Sequence, residues 1–213
     1  MIPLVRMCFA LTGSSLPEAG LVFHASFRDE VLAESGQDLE IAEGDVRIVQ
    51  DDELGRNVLH SERGVLKFPQ AGLPTGNAPF TIALHAKFDS LDDNSMIMGW
   101  GSTPWGETVA AIRYVDGGIR LSPWGSTYTE PAVDPDCGRW HHWCGVYDGG
   151  GHAQLFLDGQ QIANGNFGFD IGEEQGSLGT FWAWENAEFR AANVRIYDRA
   201  LTGSEIMALA EEK

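Results

Sequence analysis

The chain has 213 residues, 43% of them hydrophobic, with 7 Trp and 11 Phe, which is enough apolar bulk for one β domain to bury a core without disulfides. Its 31 acidic and 14 basic residues leave a net charge of −17. That field repels phosphate backbones and anionic membrane surfaces, so it excludes nucleic acid as a partner.

The opening "MIPLVRMCFALTG" is apolar, but it is short for a membrane span and is interrupted by Pro3 and Arg6. It lacks the charged start, long apolar stretch and small-residue cleavage pattern of a signal peptide. It therefore reads as a strand or arm, with no membrane insertion. On that reading the chain is cytoplasmic as synthesised, or part of an assembly such as a virion. "GSSLPEAG" reads as a linker, which separates an arm over 1–19 from a main domain over 20–213.

In "FTIALHAKF", Phe80, Ile82, Leu84, Ala86 and Phe88 face one way and Thr81, His85 and Lys87 the other. This alternation predicts a half-buried antiparallel strand. "TVAAIRYV" and "IRLSPW" flank "DGG", a strong hairpin signal. "RWHHWCGVY", "HAQLFL" and "QQIAN", joined by "DGGG" and "DG", predict a three-stranded meander, and "FRAANVRIY" predicts a late strand. In "LTGSEIMALAEEK", Thr202 and Glu205 have capping-box spacing ahead of Ile206, Leu209 and Ala210, which predicts a short C-terminal helix. The acidic runs "DVRIVQDDE" and "IGEEQ" read as loops or solvated edges. Many short strands with frequent turn signals give an all-β class, a two-sheet antiparallel jelly-roll sandwich.

Three Cys are present: Cys8, Cys137 and Cys144. Seven extended residues span roughly 23 Å, whereas a disulfide needs Cα atoms within about 7 Å. Cys137 and Cys144 are therefore expected to be free. His141 and His142 are adjacent on a strand and point to opposite faces, so a structural role is expected rather than a shared metal.

Several segments resemble the laminin-G-like jelly rolls of the concanavalin A-like lectin/glucanase superfamily, from about Gly20 to Leu209. "GLVFHASF" looks like that family's opening strand. "RWHHWCGVYDGGGHAQLFLDGQQI" is similar to its central meander. "GSLGTFWAWENAEFRAANVRIYDRALTGSEI" resembles its closing signature. The resemblance implies the jelly roll and a carbohydrate-binding role. It also allows calcium as the one cofactor, with Asn193 and Asp29 as candidate ligands. Asn193 stands where many members carry an acidic residue, and Asn ligates only through its carbonyl oxygen. The glucanase branch is similar to this fold with an added E-x-D-x-x-E strand. No such run occurs here, so no catalytic residues are expected.

Two aromatic clusters could stack on sugar faces. The first is the repeated Pro-Trp-Gly of "STPWGET" and "LSPWGST". If Val115 pairs with Ile119, then Trp124 lies opposite Ala110 and Tyr128 opposite Gly106. This would gather Trp105, Trp124 and Tyr128 at the open end of one hairpin, beside Asn94 and Glu107. The second is "FWAWENAEF", where Trp182 and Trp184 share a face. In both clusters the competing role is a hydrophobic plug.

The expected function is a non-catalytic carbohydrate-binding or adhesion module, with a glycan or cell-surface polysaccharide as partner. The alternative is a structural or assembly component of a virus or phage particle, whose partners would be other subunits, including copies of itself. A small glucanase or lyase is the least favoured reading.

Overall fold

The computed structural model describes residues 15–31, 33–34, 39–102, 108–125, 127–179 and 187–212. The described chain forms twelve strands and one helix. In order these are β1 (Leu21–Ala25), β2 (Glu40–Asp51), β3 (Arg56–Pro69), β4 (Phe80–Leu91), β5 (Met96–Gly101), β6 (Val109–Val115), β7 (Gly118–Ser122), β8 (Trp140–Tyr147), β9 (His152–Leu157), β10 (Gln160–Asn166), β11 (Gln175–Gly179), β12 (Ala187–Tyr197) and α1 (Gly203–Ala210). Among the described residues no helix is long and apolar enough to cross a membrane.

The ladder runs β10-β9-β8-β4-β12-β3-β11-β5-β6-β7, with β1 added on β12 and β2 on β3. It becomes two layers because β3 changes partner part-way. Leu59–Glu62 pair with β12, and Val65–Pro69 pair with β11. The corner is Arg63, at φ 52°, and the paired edge β2 bends with it at Gly44, at φ 70°. A Cβ on Gly44 would sit 2.1 Å from the Arg63 carbonyl oxygen, so only glycine fits there.

The layers meet over aromatic residues. Phe80 of β4 sits edge-on to Trp100 of β5 at 5.1 Å, and Phe23 of β1 lies 4.6 Å from Phe68 of β3. The segment after β7 closes the end of the sandwich. The Ile119 N–H donates to the Val133 carbonyl, and Glu130 exchanges backbone hydrogen bonds with Asn164 of β10.

The hairpin and meander signals are borne out. Asp116–Gly117 and Asp158–Gly159 all have positive φ, as two-residue primed turns require. In the longer turn, the Asp148 carboxylate accepts from the backbone of Gly150 and His152. Cys137 and Cys144 are free; Cys8 lies outside the described residues.

The expected half-buried β4 is corrected, because both its faces are covered. The core face packs as predicted, but Thr81, Ala83, His85 and Lys87 are buried as well. The helix α1 covers much of that second face, with Ile206 and Leu209 against Ala83, Cys144 and Val146. Thr202 caps the helix in a full capping box with Glu205. Two hydrogen bonds from the Arg199 guanidinium hold the Glu205 carboxyl down at about 2.

His141 and His142 do face opposite ways. His141 lies between the Asp158 and Asp136 carboxylates, while His142 is buried against His85, ring centroids 4.9 Å apart. Burial lowers both His85 and His142 below the ordinary value of 6.5. Each folded value is depressed, so the stability these rings confer is present above pH 6.5 and lost as pH falls below it. The midpoint of thermal unfolding is expected to drop on acidification from about pH 6.5 to 5, and His142→Gln should make that drop shallower.

Candidate functional site

On β6, Ala110 and Ile112 point into the core, so Val109, Ala111 and Arg113 point out. On β7, Arg120 and Ser122 share this outer face, with Arg120 directly opposite Arg113. Both arginines are almost fully buried, Arg113 at 3% exposed and Arg120 at 5%. What covers them is aromatic. The Arg113 guanidinium lies under the Trp124 ring, 4.5 Å from its centre, and the Arg120 guanidinium under the Tyr128 ring at 4.0 Å. Both rings are half-buried.

Local geometry holds each ring there. Trp124 has φ 72°, a left-handed conformation that costs a non-glycine residue roughly 1–2 kcal/mol. Its backbone N–H donates to the Ser122 hydroxyl, which itself donates to the Thr127 carbonyl. One side of the indole packs on Met96, Val109 and Ala111. Tyr128 donates its hydroxyl to Asp116 at 2.6 Å, and this hydrogen bond holds the phenol above its usual value. Arg120 donates to the Val115 and Thr129 carbonyls and pairs with the exposed Glu130 at 2.7 Å. Arg113 reaches the Asn94 side-chain oxygen at 3.3 Å, and Asp93 accepts from the Asp116 backbone at 2.8 Å.

The structure thus brings Trp124, Tyr128 and Asn94 against one face of the β6–β7 hairpin, but not in the expected register. Val115 pairs with Gly118, not Ile119, because the turn uses only two residues. The chain then leaves the ladder after Ser122 and doubles back, with the Thr129 N–H donating to Leu121. Tyr128 consequently sits by the closed turn at Asp116, not at the open end of the hairpin. Trp105, Glu107, Trp182 and Trp184 lie outside the described residues.

A second polar surface gave no signal in the sequence. Arg47, His60, Arg190, Lys87 and Trp140 stand side by side across β2, β3, β12, β4 and β8. Asp51 and Glu53 arch over them. Asp51 accepts from the Trp140 indole at 3.2 Å and faces Arg190 at 3.7 Å, and Glu53 pairs with Lys87. A cavity of about 350 Å³ opens between Arg47, Asp51, His60 and Arg190. The acidic run read as a solvated edge is therefore part strand, and Asp51, 4% exposed, is a buried partner. Charges paired across strands depend on register, which linear spacing does not display.

Comparison with known proteins supplies the family. A laminin-G-type family model, described as the concanavalin A-like lectin/glucanases superfamily, matches residues 60–207. The chain belongs to this superfamily. Three solved structures share the superfamily member's fold. Domain 4 of an extracellular arabinanase from Geobacillus stearothermophilus, solved with arabinotriose, is 19% identical with a TM-score of 0.72, covering 92% of this chain and 100% of that one. The binding domain of Paraclostridial Mosquitocidal Protein 1 is 16% identical with a TM-score of 0.69, covering 90% and 52%. A Trypanosoma rangeli sialidase is 19% identical with a TM-score of 0.68, covering 93% of this chain, which spans 34% of the sialidase. A search of curated proteins returned no match.

The two residues that the resemblance offered to calcium are placed differently in this superfamily member. Asn193 sits at φ 51° where the β12 ladder shifts register, and its side-chain oxygen accepts from Arg56 at 2.9 Å. The same guanidinium donates to the Ser26 carbonyl. An arginine therefore occupies the oxygens that a cation at Asn193 would use. Asp29 lines a separate cavity of about 220 Å³ with Ser26, Arg28 and Glu34.

Proposed function

We propose that this domain is a non-catalytic carbohydrate-binding module whose sugar site is the outer face of the β6–β7 hairpin. One observation carries the reading: two half-buried aromatic rings each have a buried arginine guanidinium against one face, with polar groups at the same edge. Sugars present C–H faces that stack on aromatic rings, and hydroxyls that carboxylates and amides accept. Trp124 and Tyr128 supply the rings. Asp93, Asn94, Asp116 and Glu130 supply acceptors around them. Rings already fixed by guanidinium contacts lose little freedom when a ligand lands. The likeness to an arabinanase domain solved with arabinotriose and to a sialidase is in keeping with this reading.

Calorimetry with arabino-oligosaccharides, sialosides and a wider glycan array tests it. Wild type is expected to bind at least one glycan, and Tyr128→Ala and Trp124→Ala each to weaken it about tenfold or more. Circular dichroism should show both variants folded. No ligand on the array, or one whose affinity ignores both substitutions, would overturn the proposal.

A further inference from the structure

We propose that His60, Asp89 and Glu188 form a binding site for a divalent transition-metal ion of the zinc type. Each residue offers one ligand atom, and the three atoms lie within 4.8 Å of one another. They come from three adjacent strands, on the face turned away from the core: His60 from β3, Glu188 from β12 and Asp89 from β4. None belongs to the β6–β7 hairpin.

The imidazole is the first reason. His60 is 7% exposed, its Nδ1 is buried without a hydrogen-bond partner, and its Nε2 stands 3.6 Å from Glu188 Oε1. Nε2 is the ring nitrogen beside the Glu188 carboxylate, so it is the one that an ion shared with that carboxylate would take, in the tautomer that carries its proton on Nδ1.

Like charges stacked across strands are the second reason. Glu62 lies directly opposite Glu188. Directly opposed like charges destabilise a sheet, and a cation beside them relieves that. A third is the ladder itself. Glu188 pairs with Ser90 and Phe189 with Phe88, which leaves Asp89 as the extra residue of a bulge. Bulges re-aim side chains in this way. The neighbouring cations are already matched: Arg190 faces Asp51 and Arg47 pairs with Asp45.

One imidazole nitrogen and two carboxylate oxygens suit zinc, whereas calcium and magnesium favour oxygen alone. Three protein ligands leave a further position for water or another donor.

The test is titration of EDTA-stripped protein with Zn²⁺ at about pH 7.5, with Co²⁺ absorption as a report on ligand geometry. Glu188→Gln and Asp89→Asn change exposed or half-buried side chains and should fold; each is expected to weaken zinc about tenfold or more. Glu173→Gln, an exposed acid elsewhere, controls for loss of overall charge and should change nothing. His60→Gln should abolish the cobalt spectrum. No zinc binding, equal affinity in all variants, or calcium bound as tightly as zinc would each overturn the proposal.

Discussion

Trp100→Ala is expected to lower the stability of the domain by about 3–5 kcal/mol, read as a shift in the urea midpoint with an unchanged slope. Trp100 is fully buried on β5, edge-on to Phe80 across the two layers, and its indole donates to the Pro74 carbonyl at 2.7 Å. Alanine removes the ring, leaves a cavity that the stiff strands around it cannot close, and orphans that carbonyl. Trp100→Phe separates the contributions. It keeps a six-membered ring in the core and loses the pyrrole half with its hydrogen bond, so a smaller loss of about 1–3 kcal/mol is expected. Equal losses in the two variants would mean that the pyrrole half and its hydrogen bond to Pro74, not the bulk of the ring, hold the layers at this point. The effect reaches the proposed sugar site as well. Trp100 pairs with Ala110, whose neighbours Val109 and Ala111 seat Trp124 on the opposite face.

What could be read from the sequence follows from the range of each interaction. The Asp-Gly turns, the alternation of β4 and the Thr202–Glu205 cap are set by residues a few positions apart, and they stand where expected. β3 gave no signal, because its period breaks at Arg63–Gly64 where it passes from one layer to the other. That silence concealed Arg56, which satisfies Asn193 from 137 positions away, and His60, whose neighbours come from β4 and β12. The second face of β4 was misjudged for a similar reason, since its cover is the helix at the far end of the chain. At the hairpin, the residue types were legible and the register was not. A turn shortened by one residue shifts every cross-strand partner. Nothing in "LSPWGST" announces that the chain doubles back to lay Tyr128 on Arg120. The same doubling-back answers half of the plug-or-platform question for Trp124: it covers a small apolar cluster and a buried arginine, yet stays half-buried.

Arg120→Ala should therefore do two things that a surface arginine would not. The side chain is 6% exposed and holds the Val115 and Thr129 carbonyls, the Glu130 carboxylate and the Tyr128 ring. Truncation takes a donor away from two buried carbonyls and removes the seat of the ring, at a cost of about 2–4 kcal/mol. Glycan affinity should fall as far as in Tyr128→Ala, although Arg120 is too deeply covered to touch a ligand. Arg120→Lys discriminates between charge and shape. An ammonium restores the charge but not the planar fork that serves two carbonyls while sitting against the phenol ring. Stability should recover in part and binding hardly at all. Full binding in Arg120→Lys would show that the site needs only a positive charge beneath Tyr128. Full binding in Arg120→Ala would show that Tyr128 finds its place without the arginine, and that the sugar platform is not built on this stack.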